Sequence, residues 1–206
     1  MVKSLDTDMK DFLIVDDFIP LEYQERIKQL LFDKSSGFTW FYKKDVNVGN
    51  EYSPELGPPK PALNHSFRIS GETKSSFYNI VEPMAELAAE EFGYKLTSVL
   101  NCRTFLQFPL NEKFSKHSID HLHIDIDQPH LVLLYYNIDS DGDTLFVNKK
   151  RQPGEPREYA ISVDDYEIIN RVTPKQGRAV LFDGWKYHTA EQPQHNIRSI
   201  LNFDII

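Results

Sequence analysis

The sequence predicts a mainly β fold, a sandwich or barrel, with α-helices confined to its first half. Three observations carry this. After residue 95 the apolar residues recur at every second position or in short continuous runs, the periods of half-buried and fully buried strands. Turn-forming residues punctuate those runs at short intervals. Aromatic residues make up 13% of the chain, 14 of them Phe and 10 Tyr, which suits pleated, half-buried surfaces.

The elements follow in order. DFLIVDDF at 11–18 reads as an entry strand. Pro20 then fits the first turn of a helix, and Tyr23, Ile27, Leu30 and Leu31 recur at helical spacing, so a helix is expected over 20–33. Residues 44–66 carry Gly49, Pro54, Gly57, Pro58, Pro59 and Pro61 and read as a long, lid-like loop. Just before it, Trp40, Phe41 and Tyr42 suit a packed edge strand or a substrate rim. A second helix is expected over 74–92, kinked or restarted at Pro83 and stopped by Gly93. Strands are then expected at 96–108, 120–127, 130–138, 143–148, 166–172, 178–183, 186–191 and 197–205. DSDGDT at 139–144 is a strong turn, and 149–165 reads as an inserted loop. The whole, 1–206, reads as one domain, with 1–95 as strand, helices and lid and 96–206 as the β core.

Composition excludes several classes. Hydrophobic residues at 40% and charged residues at 26% describe a globular chain. A net charge of -8 argues against bulk affinity for nucleic acid; the basic run Lys149, Lys150, Arg151 reads as a solvated loop. The one cysteine, Cys102, rules out an internal disulfide or a multi-cysteine zinc site. MVKSLDTDMK lacks the apolar stretch of a signal peptide and no run is long enough to span a bilayer. No membrane partner and a cytoplasmic location are therefore expected.

HLHIDID at 121–127 is the most informative segment. On a strand, His121, His123, Asp125 and Asp127 would share one face and Leu122, Ile124 and Ile126 the other. Imidazoles and carboxylates packed so closely are paired, solvated or metal-bound. Two openings of a metal site are available: His123-x-Asp125, which begins a two-histidine, one-carboxylate triad, and His121-x-His123, which begins a cupin-type site with Asp127 as nearest acid. Downstream, His188 lies in GRAVLFDGWKYHTAEQP, and Arg198 follows ten residues later within the apolar run NIRSILNFDI. Ferrous iron favours two imidazoles and one carboxylate on one face of an octahedron, leaving three positions open. A 2-keto acid takes two of them and dioxygen the third. The far carboxylate of such a ligand needs a permanently charged, planar partner, which Arg198 supplies. The cupin reading leaves Arg198 without a purpose.

At these residues the chain resembles the 2-oxoglutarate/Fe(II) oxygenase superfamily, in particular its prolyl-4-hydroxylase-like branch. The likeness runs over roughly 96–206. PHLVLLYYNIDSDGDTLF at 129–146 is similar to members carried by marine phages, and PKQGRAVLFDGWKYHTAEQP at 174–193 and the entry strand and helix at 11–33 also fit. The resemblance implies a double-stranded β-helix, a distorted jelly roll, supported by helices. It implies Fe(II), 2-oxoglutarate and O2, with ascorbate as an accessory reductant, and hydroxylation of a C–H bond with succinate and CO2 as coproducts. Residue by residue, it implies iron on His123, Asp125 and His188, the cosubstrate's C5 carboxylate on Arg198, and a hydrogen bond to that carboxylate from Tyr136. Expected partners are a prolyl peptide or a small molecule, and a viral gene product would work in its host's cytoplasm. Three positions depart from the pattern: Ile138 stands where the branch has Asn, Phe108 precedes Pro109 where a tyrosine is usual, and Asp204 stands where nucleic-acid repair members carry a second arginine. Ile138 and Phe108 bear on the second hydrogen bond to the cosubstrate, and Asp204 sets a nucleobase substrate behind a peptide. A non-catalytic jelly-roll module is the remaining alternative.

Overall fold

The computed structural model describes residues 11–46, 59–110, 118–158 and 161–206. Eleven strands and three α-helices run in the order β1 (Phe12–Val15), α1 (Leu21–Phe32), β2 (Phe41–Lys43), β3 (Ala62–Ile69), β4 (Glu72–Thr73), α2 (Tyr78–Val81), α3 (Pro83–Phe92), β5 (Val99–Gln107), β6 (Leu131–Tyr136), β7 (Thr144–Lys150), β8 (Ile168–Val172), β9 (Ala179–Asp183), β10 (Lys186–Ala190) and β11 (Arg198–Ile205). They form an eight-stranded sheet ordered β1-β9-β6-β11-β5-β3-β2, with β4 on β3, and a three-stranded sheet ordered β10-β7-β8. This is the jelly roll that the sequence led one to expect.

The period-two pattern now has a spatial meaning. On β11, Leu201, Phe203 and Ile205 face the helices and pack with Ile27, Met84, Ala85 and Ala88. Ile200 faces the other way, into a core between the sheets with Val132, Leu134, Tyr136, Phe146 and Phe182. Both faces of β11 are thus covered, and all eight of its residues are buried. A third apolar cluster lies beyond the small sheet, where Leu145 and Val147 of β7 meet Leu122, Ile124, Trp185 and Tyr187.

The helices keep close to expectation. Pro20 caps α1, and Pro83 restarts the second helix, separating α2 from α3, because a proline within a helix lacks the amide that the preceding turn needs. Gly93 ends α3 in the left-handed conformation. Residues 74–77 stay outside the helix.

Three expectations need correction. Residues 62–66 belong to β3, not to a loop: beyond Pro61 the chain pairs along β5 from Ala62↔Gln107 to Ser66↔Arg103. Prolines mark only the entrance to that strand; the expected loop's central part, 47–58, lies outside the described residues. Residues 120–127 do not form a strand. They touch the sheet through isolated bridges, Ile119↔Glu191, Leu122↔Ile161 and His123↔His188. Between the first and last of these bridges this side holds one residue more than β10, so the ladder is bulged. Lys149, Lys150 and Arg151 do not form a solvated loop. Lys149 pairs with Glu158 and Lys150 with Asp183. Arg151 is buried, pairs with Asp127 and covers the Trp185 ring.

Trp40 donates its indole N–H to the carbonyl of Leu31 at 3.0 Å and packs on the helix-side core. Phe41 and Tyr42, on the edge strand β2, are 57% and 71% exposed. Among the described residues no helix is long and apolar enough to cross a membrane.

The closed face of β11 sets a stability test. Phe203→Ala should lower the free energy of unfolding by about 3–5 kcal/mol, the usual loss for a buried aromatic truncated in a rigid core. Urea denaturation measures it, and a loss under about 1 kcal/mol would mean that the core closes around the gap.

Candidate metal centre

The bulge positions the site. His123 and His188 exchange backbone hydrogen bonds, N–H to carbonyl, at 3.0 and 3.1 Å. Their rings lie tilted at 49° to each other with centroids 4.5 Å apart. Leu122 and Ile124 anchor the segment in the apolar cluster beyond the small sheet, which turns His123 and Asp125 toward the space between the sheets. There the ligating atoms of His123, Asp125 and His188 lie within 4.8 Å of one another. His121 is not part of that group. The extra residue of the bulge breaks the alternation between His121 and His123, so the cupin-type pair is not assembled. Asp127 turns outward to Arg151.

Tautomers follow from the backbone. The Nδ1 of His123 faces the carbonyl of His121 at 3.1 Å, and the Nδ1 of His188 faces that of Lys186 at 3.1 Å. A carbonyl only accepts, so each Nδ1 carries the proton and each Nε2 presents a lone pair. The Nε2 of His188 lies 3.7 Å from Oδ2 of Asp125. Burial, with His123 beside it, lowers the His188 pKa to about 4, so the contact is not an ion pair at neutral pH. Burial alone would raise the Asp125 pKa, but His188 and Arg103 outweigh it and hold the carboxyl below its ordinary range. The Nε2 atoms of both imidazoles and the Asp125 carboxylate therefore converge on one point, an arrangement that a divalent cation satisfies.

The surroundings fix these ligands. Phe182 meets the His188 ring edge-on at 4.9 Å and Phe146 stacks on it at 5.9 Å. Arg103 on β5 donates through Nη2 to Asp125 at 3.4 Å, Asn202 at 3.1 Å and Asp204 at 3.2 Å. Asn202 donates to the other oxygen of Asp125 at 3.3 Å. Asp204, where repair enzymes carry arginine, is fully buried and serves Arg103. A second group, Asp125, His130 and Asp204, also has ligand-bearing atoms within 4.8 Å, but the Arg103 guanidinium already bridges its two carboxylates.

The register of β5 and β11 lays out the rest. Gln107 sits opposite Arg198, Phe105 opposite Ile200 and Arg103 opposite Asn202. All six line a cavity with His123, Asp125, His188 and Thr144 that holds about 680 Å³ of empty space, part of it open to solvent. One end is the metal cluster. At the other, Arg198 is buried and donates to Gly142 carbonyl at 2.8 Å, Gln107 at 2.6 Å and Thr144 at 2.8 Å. All three acceptors are neutral, and among the described residues no carboxylate pairs with Arg198. Burial lowers its pKa, yet a guanidinium stays charged. It is a fixed positive charge waiting for an anion.

Tyr136 is brought near, but not into, the cavity. It is wholly buried behind Thr144, donating to that hydroxyl at 2.7 Å, with the Arg198 guanidinium 5.8 Å over its ring. Thr144 accepts from both Tyr136 and Arg198, so its own proton points elsewhere. Gly142 permits this arrangement. A Cβ there would meet the Glu191 carbonyl at 2.7 Å and the Cδ of Arg198 at 3.0 Å. Ile138 and Phe108 lie outside the cavity lining, and His117 lies outside the described residues. Thr144, Gln107, Arg103 and Asn202 were not singled out in the sequence. The signal that could have found three of them is strand parity: on β5 and β11, Gln107, Arg103 and Asn202 share the inward face with Arg198, whereas Thr144 enters from β7.

Similar folds are found among solved structures. An oxidoreductase of the 2OG-Fe(II) oxygenase family from Burkholderia pseudomallei aligns with TM-score 0.61 at 10% identity, over 95% of this chain and 85% of that one. The non-heme alpha ketoglutarate dependent epimerase SnoN from nogalamycin biosynthesis gives 0.64 at 12%, over 96% and 79%. The viral collagen prolyl hydroxylase of Paramecium Bursaria Chlorella virus-1 gives 0.55 at 11%, over 95% of both chains. No protein-family model and no curated protein matches the chain. At these identities the likeness establishes the shared fold.

The geometry ranks the ligands' supports. Asp125→Ala should abolish stoichiometric Mn(II) binding. Asn202→Ala should weaken it by about 10–100-fold, as loss of a group that orients a metal ligand does. Titration calorimetry reads both, and an Asn202→Ala affinity equal to wild type would show that Asp125 needs no such support.

Proposed function

We propose that this chain is an Fe(II)- and 2-oxoglutarate-dependent oxygenase that hydroxylates a C–H bond, with a prolyl residue of a peptide as the first substrate to try. One observation carries the reading: a single cavity has a cluster of two imidazoles and a carboxylate at one end and a buried, carboxylate-free arginine at the other. A divalent cation and a dicarboxylate keto acid that reaches from it to Arg198 complete both at once. The fold shared with 2OG-Fe(II) oxygenases and with prolyl hydroxylases supports it.

His123, Asp125 and His188 would hold the iron. Arg198 would pair with the C5 carboxylate, and Thr144, its lone pairs occupied by Tyr136 and Arg198, would donate its proton to the same group. Tyr136 then acts through Thr144 rather than by direct contact. Phe105, Leu134 and Ile200 form the apolar stretch between the two ends and keep water from the reacting atoms. When bound, Fe(II) would activate O2, the oxidant, with two electrons supplied by 2-oxoglutarate as it is cleaved to succinate and CO2 and two by the substrate's C–H bond. Arg103 and Asn202 hold Asp125 in one orientation meanwhile. The bulge that leaves His121 outside the cluster removes support from a cupin-type site, and the buried Asp204 does the same for a base-repair role.

The test is succinate formation from 2-oxoglutarate with Fe(II), alone and with proline-containing peptides. Wild type should turn over slowly alone and faster with a suitable peptide, and Asp125→Ala should be inactive. Arg198→Ala should need about 30-fold more 2-oxoglutarate, the loss of a charge-assisted, two-point bond. Thr144→Val should raise that requirement by about 5–10-fold, the loss of one hydrogen bond. Failure of wild type both to bind 2-oxoglutarate and to form succinate would refute the reading.

A further inference from the structure

The proposed iron and cosubstrate leave two cations on the cavity wall without a role at the substrate's side. Arg103 uses only Nη2 for its bonds to Asp125, Asn202 and Asp204. Its Nε is buried with no partner, and its Nη1 bonds to no described residue. Lys43 projects into the same cavity from β2, with Nζ 5.3 Å over the Phe105 ring. It enters no ion pair among the described residues. Asp120, a carboxylate of the cavity wall, is held by Lys60 at 2.8 Å and by Gln192 at 2.7 Å. Burial and Arg103 outweigh Asp45 and Asp120, which both draw the Lys43 pKa upward.

Such a placement is unfavourable without a counter-ion. β2 is an edge strand, and its neighbours Phe41 and Tyr42 are exposed, so solvent was available to a lysine there. Lys43 instead lies half-buried toward a second cation, and burial and Arg103 both push its pKa down. Unpaired charge taken out of water costs free energy unless an anion joins it. The cosubstrate does not fill this role, because its two carboxylates belong to the iron and to Arg198. The keto acid and the two carboxylates Asp125 and Asp204 together offset the iron, Arg198 and Arg103, and among the described residues Lys43 has no carboxylate in ion-pair contact.

We infer that Lys43 and the free edge of Arg103 form an anion subsite for the substrate, which therefore carries a carboxylate or a phosphate group beside the C–H bond it offers. This rests on the oxygenase reading and narrows it. Phe105, beneath the ammonium, supplies an apolar floor for the adjoining part of the substrate. A prolyl substrate then presents a free carboxylate or a neighbouring acidic side chain, and a phosphorylated small molecule meets the same chemistry.

The test uses the full chain loaded with Mn(II) and N-oxalylglycine, so that metal and cosubstrate positions are filled. N-acetyl-L-proline, its uncharged amide and inorganic phosphate are titrated in separately by calorimetry. At least one anion should bind saturably and the amide should not. Lys43→Gln should weaken that anion by about ten-fold or more, as removal of a charge-assisted contact does, and Lys43→Arg should restore most of it. A tighter fit for phosphate assigns a phosphate ester, and a tighter fit for acetylproline assigns a carboxylate. Absence of saturable binding by both anions, equal binding of acid and amide, or no change in Lys43→Gln overturns the subsite. Failure of N-oxalylglycine itself to bind wild type overturns the oxygenase reading and the subsite together, whereas its binding without any response to the anions overturns the subsite alone.

Discussion

One extra residue between Ile119 and His123, opposite the run from His188 to Glu191, organises this site. A regular ladder would continue the alternation of 121–127 and put four polar side chains on one face. The bulge instead locks His123 against His188 by reciprocal backbone bonds and excludes His121. Leu122 and Ile124 then hold the segment from behind, by burial in the apolar cluster and by backbone bonds to Ile161 and from Arg157. Metal-binding geometry is thus maintained by hydrophobic packing on one side and by aromatic rings around His188 on the other. The ligands are set before any ion arrives, which reduces what binding must order.

The charged groups near the cavity divide into two kinds. Lys60 with Asp120, and Arg103 with Asp204, neutralise one another within the protein. Such pairs contribute little net stability over apolar replacements, but they resist loss of either partner. Arg198, Lys43 and the acceptor cluster are not neutralised in that way. Every one of them borders the same space. Charge without a partner of opposite sign thus gathers on one cavity, which is the pattern expected where stability is traded for binding.

Much of this was legible in the sequence, and the rest was hidden for identifiable reasons. His123, Asp125 and His188 could be read because a His-x-Asp pair on an alternating run is rare together with a distal His and an arginine in an apolar strand. The helices could be read from their spacing and from Pro20, Pro83 and Gly93. β3 was hidden because Pro59 and Pro61 at its entrance resemble the loop before them. The bulge was hidden because a bulge is defined by the partner strand and has no local composition. Arg103, Asn202, Gln107 and Thr144 were hidden because each is an ordinary polar residue on its strand. Only the pairing of β5 with β11 shows that Arg103, Asn202 and Gln107 line one face, and only the packing of β7 brings Thr144 to Arg198.

Tyr136, expected to hydrogen-bond a cosubstrate directly, is separated from the cavity by Thr144. Its hydroxyl reaches Thr144, and the Thr144 hydroxyl reaches the cavity. A tyrosine on the cavity wall would meet a carboxylate with one long, rigid side chain. A threonine whose acceptor sites are occupied by Tyr136 and Arg198 has a proton with a single free direction. Under the proposed function the pair would offer a carboxylate one hydrogen bond from a shorter side chain. The buried phenol also turns its ring toward the guanidinium at 5.8 Å, which favours the cation electrostatically in a place where water cannot. Two of the constraints on the far end of the cavity therefore come from one residue that never touches what binds there.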